Sequence, residues 1–126
     1  MRLLLDTHIV LWRMHGTPVL GGEARDRLAS AEEVLVSAIS FLEIGIKASI
    51  GKLRLPESLR EHVLESGARI LTVSPEHGLG VADLPLHHRD PFDRLLISQA
   101  RHEGLTILTA DPDFTAYDVS VVLATG

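Results

Sequence analysis

The sequence predicts an α/β fold, a single domain over residues 1–126 built on a central, mainly parallel sheet of four or five short strands flanked by helices. Two observations carry this expectation. Short apolar runs alternate with longer helix-like segments from end to end, the pattern of repeated strand–helix units. The first four apolar runs are continuous rather than alternating, as expected where helices cover both faces of a sheet. The length of 126 residues suits one domain, and no repeat, low-complexity stretch or long linker divides it.

The elements follow in order. Arg2-Leu3-Leu4-Leu5 reads as a short buried strand, and Thr7 through Met14 as a helix with Ile9, Trp12 and Arg13 at helical spacing. Gly16 to Gly22, with Pro18 and paired glycines, reads as a loop, and Glu23 to Ala31 as a polar helix. Val34-Leu35-Val36 is the second strand. Ser40-x-x-Glu43 then opens a helix in capping-box style that runs to about Ile50 and ends at Gly51. Pro56 starts a helix over Glu57 to Ser66, stopped by Gly67, and Ile70 to Val73 is the third strand. Ser74-Pro75-Glu76 starts a short helix. Leu84 to Arg89 is irregular. Asp90-Pro91 opens a strong helix through Arg101 that Gly104 stops. Leu105 to Thr109 is the fourth strand, Asp111-Pro112-Asp113-Phe114 a single turn, and Val119 to Leu123 the fifth strand.

Composition narrows the chemistry. Hydrophobic residues make up 45% of the chain, enough for a packed core. There is no cysteine, so disulfides and thiolate metal sites are excluded and a metal would take oxygen or imidazole ligands. The amino-terminal apolar run is too short for a signal peptide, and Val34 to Ile50 contains Glu43 and Lys47 and does not read as a membrane span. A soluble, cytoplasmic protein is the expectation. The net charge of −5 argues against a nonspecific nucleic-acid coat. Local basic patches, Lys47-Lys52-Arg54 and His87-His88-Arg89-Arg94, remain able to hold a phosphate backbone.

The acids Asp6, Glu43, Asp93 and Asp111 each fall just past a strand or near the start of the helix that follows. Singly, each has an ordinary role: Asp6 as a helix cap, Glu43 in a capping box or paired with Lys47, Asp93 as a first-turn acid, Asp111 as a turn cap. Together they gather at the sheet edge where open α/β folds bind ligands. Asp93 also shares a helical face with Leu96, Ile97 and Ala100, so its carboxylate points inward. Buried carboxylates at close range repel one another unless a cation neutralises them, and hard oxygen ligands favour Mg2+ or Mn2+. Backbone N–H groups at helix starts can take phosphate oxygens. Such a site suits in-line attack of a metal-activated water on a phosphodiester.

With these residues in hand, the chain resembles PIN-domain ribonucleases, and within them the VapC-type toxins of bacterial toxin–antitoxin pairs. The resemblance rests on Leu3-Leu4-Leu5-Asp6-Thr7-His8, Ser37-Ala38-Ile39-Ser40-Phe41-Leu42-Glu43-Ile44, His88-Arg89-Asp90-Pro91-Phe92-Asp93-Arg94-Leu95-Leu96-Ile97 and Thr109-Ala110-Asp111-Pro112-Asp113-Phe114, in order over nearly the whole chain. Lys47 followed by Gly51-Lys52-Leu53 fits one subgroup. The resemblance implies a PIN-like fold and a Mg2+- or Mn2+-dependent endoribonuclease acting on RNA. It implies that Asp6, Glu43, Asp93 and Asp111 are the catalytic, metal-holding quartet. Thr7 and Thr109 then take hydroxyl positions that orient those acids or a metal-bound water. Asp90 reads as a helix cap and Asp113 as lying outside the first metal shell, while Lys47 borders the cleft. A homodimer and a small cognate antitoxin that covers the site are also implied.

Other residues read more plainly. His8, His15, His62, His77 and His102 are expected on the surface or in packing, while His87 and His88 either touch RNA or only shape their loop. Trp12 reads as core or dimer surface, and Arg94 as a substrate contact. Two alternatives stand beside the nuclease: a Mg2+-binding phosphotransfer protein on a similar sheet, or a non-enzymatic binding module. The first lacks an Asp-x-Asp at the first strand (here Asp6-Thr7-His8) and a lysine after the late strand (here Thr109-Ala110-Asp111).

Overall fold

A computed structural model describes residues 1–15 and 20–125, without the side chain of His15. Most of the expected Gly16–Gly22 loop, with Pro18, therefore lies outside the described residues. The strands are β1 (Arg2–Leu5), β2 (Glu33–Ser37), β3 (Arg69–Leu71), β4 (Thr106–Thr109) and β5 (Ser120–Leu123). The helices are α1 (Thr7–His15), α2 (Gly22–Ser30), α3 (Ala38–Ser49), α4 (Leu59–Glu65), α5 (Pro75–Leu79) and α6 (Pro91–Glu103). Tight 3-10 turns cover Gly80–Asp83 and Pro112–Ala116.

The strands form one five-stranded sheet in the order β3-β2-β1-β4-β5, and every pairing is parallel. Side chains alternate across a strand, so neighbouring apolar residues serve opposite layers. Leu5, Val36, Leu108 and Val122 face one cluster with Ile9 and Val10 of α1, Ala24 of α2, Ile44 of α3, and Leu59 and Val63 of α4. Leu4, Leu35, Leu71 and Ile107 face the other, with Leu96, Ile97 and Ala100 of α6 and with Phe114 and Tyr117. Burial on both faces is why the strands read as unbroken apolar runs. Trp12 packs, partly buried, against the first cluster. None of the described helices is long and apolar enough to cross a membrane.

Several boundaries shift by a residue or two, and three of the differences bear on the scaffold. Helix α3 starts at Ala38, directly out of β2, with Ser37 as its cap; the Ser37 hydroxyl accepts from the Ile39 N–H at 3.1 Å. Ser40 is therefore not the cap, and Glu43 stands in the second turn rather than closing a capping box. Helix α4 starts only at Leu59, because Ser58 takes a left-handed conformation (φ 56°) that no helix accepts. Strand β3 ends at Leu71, the last residue in register with β2. Elsewhere the local signals hold: Ser74 forms a capping box with His77, Asp90 caps α6, and Gly104 ends α6 at φ 68°.

The order of the strands matters for function. The chain leaves β1 toward β2 and β3, then returns to lay β4 on the other side of β1. The loops after β1 and β4 thus diverge from adjacent strands and open a crevice at the carboxyl edge.

Because Ser37 and not Ser40 caps α3, Ser37→Ala should cost about 1 kcal/mol of folding stability, read from urea unfolding. An unchanged urea midpoint would contradict this assignment of the cap.

Candidate active site

Asp6 is the first residue past β1, and its N–H donates to the Leu108 carbonyl at 2.9 Å, which extends the β1–β4 pairing to the crevice. Its side chain is 3% exposed. The Thr109 hydroxyl donates to Asp6 Oδ2 at 2.8 Å and accepts from the Asp111 N–H at 3.0 Å. One hydroxyl thus ties Asp6 to the loop that carries Asp111. The other oxygen, Asp6 Oδ1, is buried and has no hydrogen-bond partner.

Glu43 arrives from α3 and is 2% exposed. Lys47, one turn on, binds Glu43 Oε2 at 2.7 Å, while Glu43 Oε1 is buried without a partner. Pairing with Glu43 is one of the roles that the sequence left open for Lys47. Thr7 at the start of α1 and Ser40 of α3 share a buried hydroxyl–hydroxyl bond of 2.8 Å. It joins the helices that carry the residues beside Asp6 and Glu43.

Asp93 sits in the first turn of α6, where Asp90 Oδ1 accepts from the N–H groups of Phe92 and Asp93 at 2.8 and 3.1 Å. Asp90 is thus the helix cap that its place before Pro91 predicts. The cap also consumes those N–H groups, so this helix start does not offer them to a phosphate, contrary to the general expectation for helix starts. Asp111 likewise caps the following turn by accepting from the Asp113 N–H at 2.9 Å.

His88 lies between two of the acids. Its Nε2 stands 3.0 Å from Asp93 Oδ2 and 3.4 Å from Asp111 Oδ2. Sequence reasoning left His88 as an RNA contact or a loop-shaping residue and missed this link. The available signal was its position two residues before the α6 cap, where a side chain can reach back over the first turn.

Arg94 also departs from its reading as a substrate contact. Its guanidinium donates to the carbonyls of Val81, Leu84, Pro85 and His88, at 2.9 to 3.3 Å, and so is committed to holding the loop before α6. His77 is buried and bonds Glu103 at 3.0 Å, a packing role.

The electrostatics show that the acids sense one another. Burial pushes the Asp93 carboxyl up to about 7, the charges of Asp6, Asp90 and Glu43 push the same way, and His88 opposes them. Burial also raises the Asp6 carboxyl, against the Thr109 hydrogen bond, with Glu43 adding to the rise. The Glu43 bond raises the Lys47 ammonium, and the Asp90 and Asp93 charges add to this.

Buried carboxylates with bare oxygens fit a hard cation, which would supply the missing partner for Asp6 Oδ1 and Glu43 Oε1. Among the described residues, polar side-chain atoms of His88, Asp111 and Asp113 lie within 4.8 Å of one another. Asp113, read from sequence as outside the metal shell, is the exposed member of this group. No three quartet carboxylates are drawn together that tightly among the described residues.

Comparison with known proteins agrees with the fold. The profile of the PIN domain family matches residues 3–120. A curated protein named Ribonuclease VapC22, from Mycobacterium tuberculosis (strain ATCC 25618 / H37Rv), is 29% identical over 117 residues, 86% of each chain. Among solved structures, VapBC2 from Rickettsia felis bound to a promoter DNA fragment superposes with a TM-score of 0.74 at 19% identity, covering 98% of each chain. DNA-bound VapBC from Salmonella typhimurium gives 0.69 at 17% identity, covering 97% of each. At these identities the structural likeness is one of fold.

The Asp93 shift has a pH consequence. The folded state holds this proton more tightly than the unfolded chain does. The resulting stabilisation is full below about pH 4, the ordinary carboxylate range, and is lost as pH rises through about 7. In EDTA, thermal melts should therefore show the protein losing stability between those limits. Asp93→Asn should flatten that loss and be roughly 1 kcal/mol more stable than the parent near pH 8. Parallel melting profiles for the two proteins would refute the shift.

Proposed function

The chain belongs to the PIN domain family, and from that premise we propose that it is a Mg2+- or Mn2+-dependent endoribonuclease, the toxin of a toxin–antitoxin pair. The ribonuclease name of its curated relative supports the reaction, and the VapBC complexes that share its fold support an antitoxin partner. Among the observations on this chain, the buried and unpartnered oxygens of Asp6 and Glu43 carry the reading furthest, because they call for a cation that the protein does not itself supply.

In this reading Asp6, Glu43, Asp93 and Asp111 hold the metal. When bound, the cation would supply Lewis acidity toward a water and a phosphoryl oxygen. The chain's own residues prepare the acids for it. Thr109 occupies one oxygen of Asp6 and leaves the other bare. Lys47 does the same for Glu43, and its ammonium adds a positive charge at the cleft border, suited to a phosphate of the RNA. Thr7, through Ser40, fixes the start of α1 against α3. Asp90 acts through the helix, by capping the turn from which Asp93 projects.

Self-association fits the surface. Helix α3 leaves Leu42, Ile46 and Ile50 exposed at four-residue spacing, an apolar row along one side that suits a second copy of the chain. On this reading the protein is a single-domain nuclease that works as a homodimer until its antitoxin covers the crevice.

Purified protein should cleave RNA when Mg2+ or Mn2+ is added and stop when EDTA is added. Asp6→Asn and Asp93→Asn should each lower the cleavage rate by at least about a hundredfold, roughly 3 kcal/mol of barrier, while the far-ultraviolet circular dichroism stays native. End mapping of total RNA would identify the bond cut. Cleavage undiminished in both variants would remove the quartet assignment.

The apolar row has its own test. Ile46→Glu should leave the fold intact and shift light-scattering mass from dimer to monomer. A parent protein already monomeric at micromolar concentration would exclude the dimer.

A further inference from the structure

We propose that His88 is a positioning residue that ties Asp93 to Asp111, so that carboxylates from different elements face a divalent cation as a pair. The proposal rests on the metal-binding reading above. It begins from how firmly His88 itself is held. Its backbone N–H donates to the Tyr117 hydroxyl at 2.7 Å, and its carbonyl accepts from Arg94 at 3.3 Å. Its ring Nδ1 accepts from the Asp90 N–H at 3.3 Å, and the ring lies edge-on to Phe114 at 6.2 Å.

These anchors fix the chemistry of the exposed nitrogen. With Nδ1 accepting from a backbone N–H, the ring proton resides on Nε2. That N–H points at Asp93 Oδ2, 3.0 Å away, and Asp111 Oδ2, 3.4 Å away. Asp93 rides on α6, whereas Asp111 sits in the loop after β4. The shared donor sets the spacing between these carboxylates, as hydrogen bonds to ligating groups do in metal sites. A residue that only shaped the loop would need its backbone anchors and Nδ1, but no donor aimed at the acids.

Amide side chains separate these roles. Asparagine places a polar atom near the position of Nδ1 but cannot reach the place of Nε2, whereas glutamine carries an N–H out to it. The experiment is a Mn2+ titration of the full chain at pH 8, with free Mn2+ read from its electron paramagnetic resonance signal and thermal melts in EDTA run alongside. His88→Asn should weaken Mn2+ binding about 10- to 100-fold, and His88→Gln should recover most of that loss. Tyr117→Phe, which loosens the backbone anchor and leaves the ring intact, should weaken binding several-fold and serves as the test if His88→Asn does not fold.

Binding by folded His88→Asn as tight as the parent's, or tighter, overturns the proposal. So does His88→Gln binding no better than His88→Asn, or parental affinity in Tyr117→Phe. A parent protein that takes up no Mn2+ removes the metal reading itself and this proposal with it. A parent that binds, beside a His88→Asn protein that binds equally well, removes only the role of His88.

Discussion

The Thr109 hydroxyl donates to Asp6 and accepts from the backbone of Asp111, and through it the central strands of the sheet share one polar junction at the crevice. Strand β1 leads straight into Asp6 and β4 ends in Thr109, so the bond forms only if these strands lie side by side in parallel and in register. The register in turn comes from Leu3, Leu4 and Leu5 matching Thr106, Ile107 and Leu108. A slip of one residue would send every side chain to the opposite layer and turn Thr109 away from Asp6. The site therefore depends on core packing even where no site residue touches the core.

The junction also explains a tension in the molecule. Asp6 and Glu43 are almost fully buried, yet each has one oxygen with no donor. A fold optimised for stability alone would supply donors there or replace the acids with apolar groups. Each acid instead has one oxygen satisfied, by Thr109 or by Lys47, and one left bare. The satisfied oxygen fixes the orientation of the carboxylate, and the bare one provides binding capacity. Local destabilisation of this kind is typical of functional sites.

Much of the scaffold was legible because its signals are local. The apolar runs that became β1, β2 and β4, the Asp90-Pro91 cap and the glycine that ends α6 are each written within a few residues. The places of Asp6 just past β1 and of Asp111 just past β4 were legible from strand alternation. What was not legible depends on contacts between distant segments. Ser40 looked like a cap because the sequence shows Glu43 three residues later, but β2 runs straight into α3 and Ser37 reaches the cap position first. Arg94 looked free to meet substrate because nothing nearby in sequence claims it, yet the 81–88 loop folds its carbonyls onto the guanidinium. His88 gained its place between Asp93 and Asp111 from Tyr117, 29 residues away.

The Asp6–Thr109 bond joins segments 103 residues apart. Strand β1 emerges from the ribosome early, but its partner β4 follows only after residue 105, and the bond to Asp111 later still. Contacts of such long range close late in folding. A nascent chain that has not yet made β4 thus holds Asp6 without the hydroxyl that orients it. The crevice therefore cannot be assembled piecemeal as the chain is made; its polar junction closes in one step, when β4 joins the sheet.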